Sequence, residues 1–434
     1  PTPPSPLAAG KASKVSTGLP GLDAVLHGIE PGDNIVWSID AWEDYHALVV
    51  PYARTARAAG RRLIYFRFGP DAPLLSREEA EWHEADPVHG FEPFVRTIHE
   101  VIEEAGPGAI YVFDCLTHLA EAWCSDQSVG NFFKLTCPRL WTLETVTYFA
   151  IRRDRHSLYA LEPVLKTTQF MLDVFQLDRR IYVRPVKVRH RADETMSTIH
   201  LWQGAAFLPV KESAVLAQIL SRTQWPRLQS DRRIGYWRRL FNEAEALVRE
   251  DQAGRVSAEA RERMLRRVRW ALRVHRSGIA ELVERHLTLE DFIAVRNRMI
   301  GVGSVGGKTL GMLVARAILR ERDPALAGRL EVHDSFFVGA EVFVTFMVDN
   351  DVWWLREQQK KAATFLQGLP EGRARILNGK FPDNVLEQFE GMLDYFGESP
   401  YIVRSSSVLE DARGNAFSGK YESVFVVNRG SREA

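Results

Sequence analysis

The period of hydrophobic and polar positions changes several times along the chain, and each change predicts an element. Between residues 14 and 213, short apolar runs alternate with amphipathic stretches. Asn34 to Ile39, Arg62 to Phe68 and Ala109 to Phe113 have the length and composition of strands. Tyr45 to Ala59 and Phe91 to Ala105, which separate them, carry helical spacing. Leu158 to Asp173 reads as a further helix, and Arg180 to Arg189 and Met196 to Trp202 as late strands. Such alternation predicts an α/β domain with a mostly parallel, doubly wound sheet. From 214 to 288 the pattern becomes helical, over Ile234 to Arg249 and Ser257 to Glu284, and reads as a helical linker. A last region, 289 to 434, opens on helical spacing at Leu289, Phe292, Ile293, Val295 and Met299. It then runs through a glycine-rich stretch, Ile300 to Gly311, into a second helical face at Leu310, Leu313, Val314, Ala317 and Ile318.

Composition narrows this picture only a little. With 434 residues, 45% hydrophobic and 26% charged, the chain can build two or three domains with sizeable cores. A formal net charge of zero gives no global case for a nucleic-acid or membrane partner. The linker is rich in arginine around Trp237 and Trp270, but Glu243, Glu245, Glu259, Glu262 and Glu284 lie among the arginines. Mixed-sign helices of this kind are solvated faces laced with ion pairs, so nucleic-acid binding is not expected. Cys115, Cys124 and Cys137 form no C-x-x-C pair, which argues against disulfides and zinc. Together with the lack of an apolar run of membrane-spanning length, this makes the cytosol the expected compartment. Residues 1 to 13, rich in proline, read as a disordered tail. The chain starts without methionine and stops just after a strand, so it is expected to be a fragment, incomplete at its C-terminus.

The glycine-rich stretch carries the clearest chemistry. Gly301, Gly303, Gly306 and Gly307 precede Lys308, and a helix begins at once. Amide groups at a helix N-terminus, with an ammonium beside them, suit a phosphate. A P-loop would need glycine where Val302 stands. The dinucleotide fingerprint Gly301-x-Gly303-x-x-Gly306 is present, but both motifs require a preceding strand and the lead-in reads as helix. About a hundred residues later, Tyr401-Ile-Val-Arg404-Ser405-Ser406-Ser407 reads as a strand ending in an arginine and three hydroxyls. It is followed by Glu410, Asp411 and Arg413, then Phe417-Ser418-Gly419-Lys420-Tyr421 and an apolar strand through Val427. An arginine fork, serine hydroxyls and glycine amides make a phosphate cradle.

These motifs, in this order, resemble the N-terminal, ATP-grasp-type nucleotide-binding domain of pyruvate phosphate dikinase and phosphoenolpyruvate synthase. Asp334 to Phe343 is similar to that family's strand-then-helix segment, and the resemblance covers about 289 to 428. It implies the first half of an ATP-grasp-type α+β domain that binds ATP through Gly303, Gly306, Gly307, Lys308, Arg404, Ser405, Ser406, Ser418 and Gly419. Lys308 and Arg404 are implied to hold phosphate charge during transfer, as catalytic groups. Mg2+ is implied as well, with its ligands expected beyond the end of this chain. In the family the phosphate passes to a histidine on a separate domain, in a glycine-rich setting that none of the 12 histidines here shares. The phosphohistidine and pyruvate or phosphoenolpyruvate domains would then be partners downstream, and the fragment alone should not turn over.

The N-terminal region has a resemblance of its own. Ser16-Thr-Gly-Leu-Pro-Gly-Leu-Asp23-x-Val25-Leu26-x-Gly28 is similar to the entry of KaiC-type, RecA-like ATPase domains, and Asp114 sits where that family keeps its Walker B aspartate. In place of the phosphate loop, however, stands Ser38-Ile-Asp-Ala-Trp-Glu-Asp-Tyr-His46, with no glycine, no lysine and three acids. Asp40, Glu43 and Asp44 would repel a triphosphate, so a degenerate RecA-like fold is expected, kept for packing or partner contact. Lys187, Arg189 and Arg191 alternate along one strand face, where a solvated basic strand is the simpler reading. Two functions remain open: the ATP-binding part of a phosphotransferase, or a nucleotide-sensing regulatory or scaffold protein with an inactive assembly domain, for which a homo-oligomer is open.

Overall fold

The computed structural model describes residues 15–188, 196–222, 234–274, 278–331, 334–405 and 421–429. They divide into two compact units, one ending at Tyr236 and the other beginning at Trp237. Arg189 and Arg191 lie outside the described residues.

The first unit is a mixed α/β domain. In chain order it runs α1 (Pro20–Leu26), β1 (Asn34–Ile39), α2 (Trp42–Ala58), β2 (Leu63–Arg67), β3 (Glu81–Glu84), α3 (Phe91–Ala105), β4 (Ile110–Cys115) and α4 (Thr117–Trp123). It continues α5 (Gln127–Thr142), β5 (Val146–Arg152), α6 (Leu158–Thr167), β6 (Phe170–Leu177), β7 (Arg180–Val188), β8 (His200–Gln203), β9 (Ala206–Pro209) and α7 (Ser213–Arg222). Nine strands form one sheet in the order β3-β2-β4-β5-β1-β6-β7-β8-β9. Pairing is parallel from β3 through β6 and antiparallel from β6 through β9.

Alternation along the strands sends neighbouring side chains to opposite faces, and both faces are covered. Trp37, Tyr65, Val112 and Tyr148 belong to one core, with Tyr45, Leu48 and Tyr52 of α2. There Tyr52 stacks on Tyr148 at 3.8 Å and donates its hydroxyl to Val146 O. On the other side Phe113 packs with Phe66 and Phe149, and Phe132 of α5 meets Phe94 of α3. Strand β6 departs from the sequence reading, which extends a helix to Asp173. Helix α6 stops at Thr167, and Phe170 to Leu177 pairs with both β1 and β7. The stretch Phe170 to Leu177 is apolar except at Asp173 and Gln176 and shows no period of 2, so spacing alone does not separate it from a buried helix.

The entry motif Ser16 to Asp23 folds into a self-contained turn. The Asp23 carboxylate accepts from the Ser16 hydroxyl and from the Thr17 amide and hydroxyl. Gly18 has φ +78°, and a Cβ there would lie 2.2 Å from the Pro51 carbonyl oxygen. Only glycine meets both conditions.

The second unit continues with α8 (Tyr236–Gln252), α9 (Ala258–Ala271), α10 (Ala280–His286), α11 (Leu289–Asn297), β10 (Met299–Ile300), α12 (Gly307–Arg322) and α13 (Pro324–Ala327). Then come β11 (Phe337–Val338), α14 (Ala340–Asp349), α15 (Trp353–Gln359), α16 (Leu369–Leu377), α17 (Asp383–Phe396), β12 (Pro400–Val403) and β13 (Val424–Val427). Arginines of α9 face carboxylates: Arg261 meets Asp251 and Glu290, Arg267 meets Glu243, and Arg269 meets Glu262. Strands β10 and β11 pair in parallel, and β12 and β13 form an antiparallel pair that leaves Val403, Val424 and Phe425 exposed. Among the described residues no helix is long and apolar enough to cross a membrane.

Candidate functional site

The glycine stretch of the second unit forms a loop with one strand behind it and one helix ahead. Helix α11 ends at Asn297, short of the helical spacing read as far as Met299, and the two residues of β10, Met299 and Ile300, then lead into Gly301. The sequence reading has no strand here, because two residues are too few to show a period. Gly301 and Gly303 have φ +70° and +111°, values that favour glycine. The loop is laid across the start of α14. Glu341 N donates to Val302 O, Ala340 N to Ser304 O and Gly339 N to Ile300 O, at 2.9 to 3.2 Å. A Cβ on Gly339 would lie 2.2 Å from Val302 O, so this close approach also requires glycine. From the other side, the Gln388 side chain of α17 accepts from Gly301 N at 2.8 Å.

The carbonyls of Ile300, Val302 and Ser304 are therefore occupied, while the amides of Gly303 to Gly306 have no acceptor among the described residues. Gly306 is the N-cap of α12 and offers no side-chain cap. Gly307 and Lys308 are the first two residues of that helix, and Lys308 is half-buried. Amides without an acceptor and a helix N-terminus without a side-chain cap are groups that suit an anion.

Helix α17 also carries the second motif. At its C-terminal end Tyr395 donates to Asp334 and accepts from Arg298, both at 3.0 Å, and Phe396 stacks on Tyr401 of β12. The Asn428 side chain, just past β13, donates to Leu393 O at 3.1 Å. Arg404 directly follows β12 and is exposed, and Ser405 beside it is half-buried. Ser406, Ser418 and Gly419 lie outside the described residues, as do Ser407, Glu410, Asp411 and Arg413. Sequence reasoning missed Gln388 and the supporting part of α17. A glutamine inside an amphipathic helix gives no local signal that its amide meets a loop 87 positions away.

The corresponding edge of the first unit is filled by its own side chains. Strand β1 passes through Asp40 and Ala41 straight into α2, which leaves no room for a phosphate loop. Asp40 accepts from Arg153 Nε at 2.8 Å, and Trp42 Nε1 donates to Ala72 O. Asp44 is buried, and that burial raises its carboxyl above the usual range. Asp114 is fully buried and accepts from the Tyr65 hydroxyl, the Arg67 guanidinium and the amides of Phe68 and Gly69. Four donors occupy its lone pairs, so it is a structural carboxylate. Among the described residues no group of three or more His, Cys, Asp or Glu side chains could hold a metal ion.

Next to this network, His118 Nε2 lies 2.6 Å from Asp71, and Glu121 sits 3.5 Å from Nδ1. Burial alone would lower its pKa, but Glu121 and Asp71 outweigh that and raise it. A raised pKa stabilises the fold fully below the unfolded value of about 6.5, and that contribution fades as pH rises through the folded value. His118→Gln is therefore expected to lower stability more at pH 5.5 than at pH 8. Urea unfolding at both pH values, followed by circular dichroism, checks this; an equal loss at the two would refute the ion pairing.

The sequence model of the pyruvate phosphate dikinase AMP/ATP-binding domain matches residues 302–434. That range begins inside the glycine loop and includes Lys308 and Arg404, and it marks this part of the chain as nucleotide-binding. No curated protein matches the chain.

Proposed function

We propose that the second unit is the ATP-binding part of a phosphotransferase resembling pyruvate phosphate dikinase or phosphoenolpyruvate synthase. The observation that carries this is the glycine loop, in which the amides of Gly303 to Gly306 have no acceptor among the described residues while the Val302 and Ser304 carbonyls are tied to α14. In this reading Lys308 and Arg404 hold one triphosphate between them, with Ser405, Ser406, Ser418 and Gly419 completing the cradle. Both motifs hang on α17: Gln388 holds the loop and Phe396 the strand. Those two residues are about 12 Å apart along the helix axis, a separation that supports one shared site. The unit is then the first half of an ATP-grasp-type fold, and the exposed residues Val403, Val424 and Phe425 would be covered by the second half. Mg2+ would supply charge neutralisation for the phosphates in this reading. The transferred phosphoryl leaves the nucleotide as the ring nitrogen of an acceptor histidine attacks it.

The first unit, in the same proposal, is a KaiC/RecA-like domain that no longer binds nucleotide. Strands β2-β4-β5-β1-β6 in parallel order, with Asp114 closing β4, support the fold assignment. The Arg153–Asp40 pair and the four donors on Asp114 support the loss of the site. This filled edge also favours a second reading, a nucleotide-sensing scaffold in which the first unit serves assembly in the cytosol. Calorimetric titration of the full-length protein with ATP and Mg2+ is expected to show a single site. A second site would overturn the degenerate reading, and no site would overturn the nucleotide reading. Incubation with ATP labelled in its β- and γ-phosphates separates the two functions: acid-labile, base-stable label on histidine supports the transferase, and binding without label supports the sensor.

A further inference from the structure

A cavity of the second unit takes no part in the nucleotide site proposed above. It measures about 330 Å³ and lies between α11, α12, the segment 327–330 and β11. Val295, Leu313, Leu330 and Phe337 give it an apolar lining, and three arginines, Arg298, Arg316 and Arg320, stand around it with one carboxylate, Asp291. A volume of that order suits a small ligand.

The three arginines differ in their partners. Arg298 is engaged by Asp334 and by the Tyr395 hydroxyl, and Arg320 pairs with Asp291 at 2.7 Å. Arg316 is half-buried and has no ion-pair or hydrogen-bond partner among the described residues. Arg316 and Arg320 stand four apart on α12, so their stems share one helix face. The site is not the glycine loop seen from behind, because Arg316 lies eight residues, about 12 Å, along α12 from Lys308.

We propose that this cavity binds a small organic anion with an apolar body, its head on Arg316 and its body against Leu313, Val295 and Phe337. A guanidinium with an open fork accepts a carboxylate or a phosphate in the same bidentate geometry. The apolar lining discriminates against an inorganic ion, which would gain nothing from it.

The probes are phenyl phosphate, phenylacetate and inorganic phosphate, titrated calorimetrically into the full-length protein. At least one of the two aromatic anions should bind, at least tenfold more tightly than inorganic phosphate. Binding by both assigns a general anionic head, and binding by one assigns its head group. Arg316→Gln should weaken the aromatic anion ten- to a hundredfold, as loss of a charge-assisted hydrogen bond does. Lys308→Ala should leave it unchanged. Should Arg316→Gln not fold, Ala294→Phe, which fills the cavity from an exposed position of α11, should abolish binding instead. The site is refuted if neither aromatic anion binds, if inorganic phosphate binds as tightly, if Arg316→Gln and Ala294→Phe both leave binding intact, or if Lys308→Ala removes it.

Discussion

Replacing Asp114 by alanine is expected to destabilise the first unit by about 3–5 kcal/mol, the usual cost of removing one partner from a buried ion pair. The carboxylate is fully buried and the Arg67 side chain is 17% exposed, so solvent cannot replace what is lost. The change strands the Arg67 guanidinium, the Tyr65 hydroxyl and the amides of Phe68 and Gly69 together. Asp114→Asn keeps the shape and one acceptor oxygen but loses the charge, and should cost about 1.5–3 kcal/mol. Urea denaturation followed by circular dichroism measures both. ATP binding by the second unit should be untouched in either variant. Had Asp114 been kept to hold a metal, its removal would relieve an unpaired charge instead, and a loss under about 1 kcal/mol would point that way.

The second large effect is expected at the strand end. Arg404→Lys keeps the charge but removes the planar fork that matches phosphate oxygens. In a desolvated transfer site the loss of that interaction costs roughly 1.5–3 kcal/mol, about ten- to a hundredfold in rate. The readout is ATP-dependent histidine phosphorylation in the full-length protein, with labelled nucleotide. Ser407→Ala, one step beyond the serines assigned to the cradle, should cost much less. Arg404 is exposed, so Arg404→Lys should not alter stability appreciably. Equal rates for Arg404→Lys and the wild type would make the arginine structural, and the phosphotransfer reading would lose its strand-end contact.

What the sequence by itself determined is what depends on neighbours in the chain. The left-handed backbone at Gly301 and Gly303 and the start of α12 at Gly307 are local matters, set by missing side chains and by a helical period that follows at once. The alternation in the first unit likewise predicted a sheet with helices on both faces, and the acidic, glycine-free Ser38–His46 stretch pointed to the lack of a phosphate loop. Tertiary structure decided the rest. Strand β6 is a strand because β1 and β7 flank it, which no period in Phe170 to Leu177 announces. Arg67 reaches Asp114 across 47 positions and Arg153 reaches Asp40 across 113, so the filling of the first unit's edge is invisible in either segment alone. The path of the glycine loop was decided the same way. The carbonyls of Val302 and Ser304 are taken by α14 and the Gly301 amide by Gln388, partners that no residue of the loop announces.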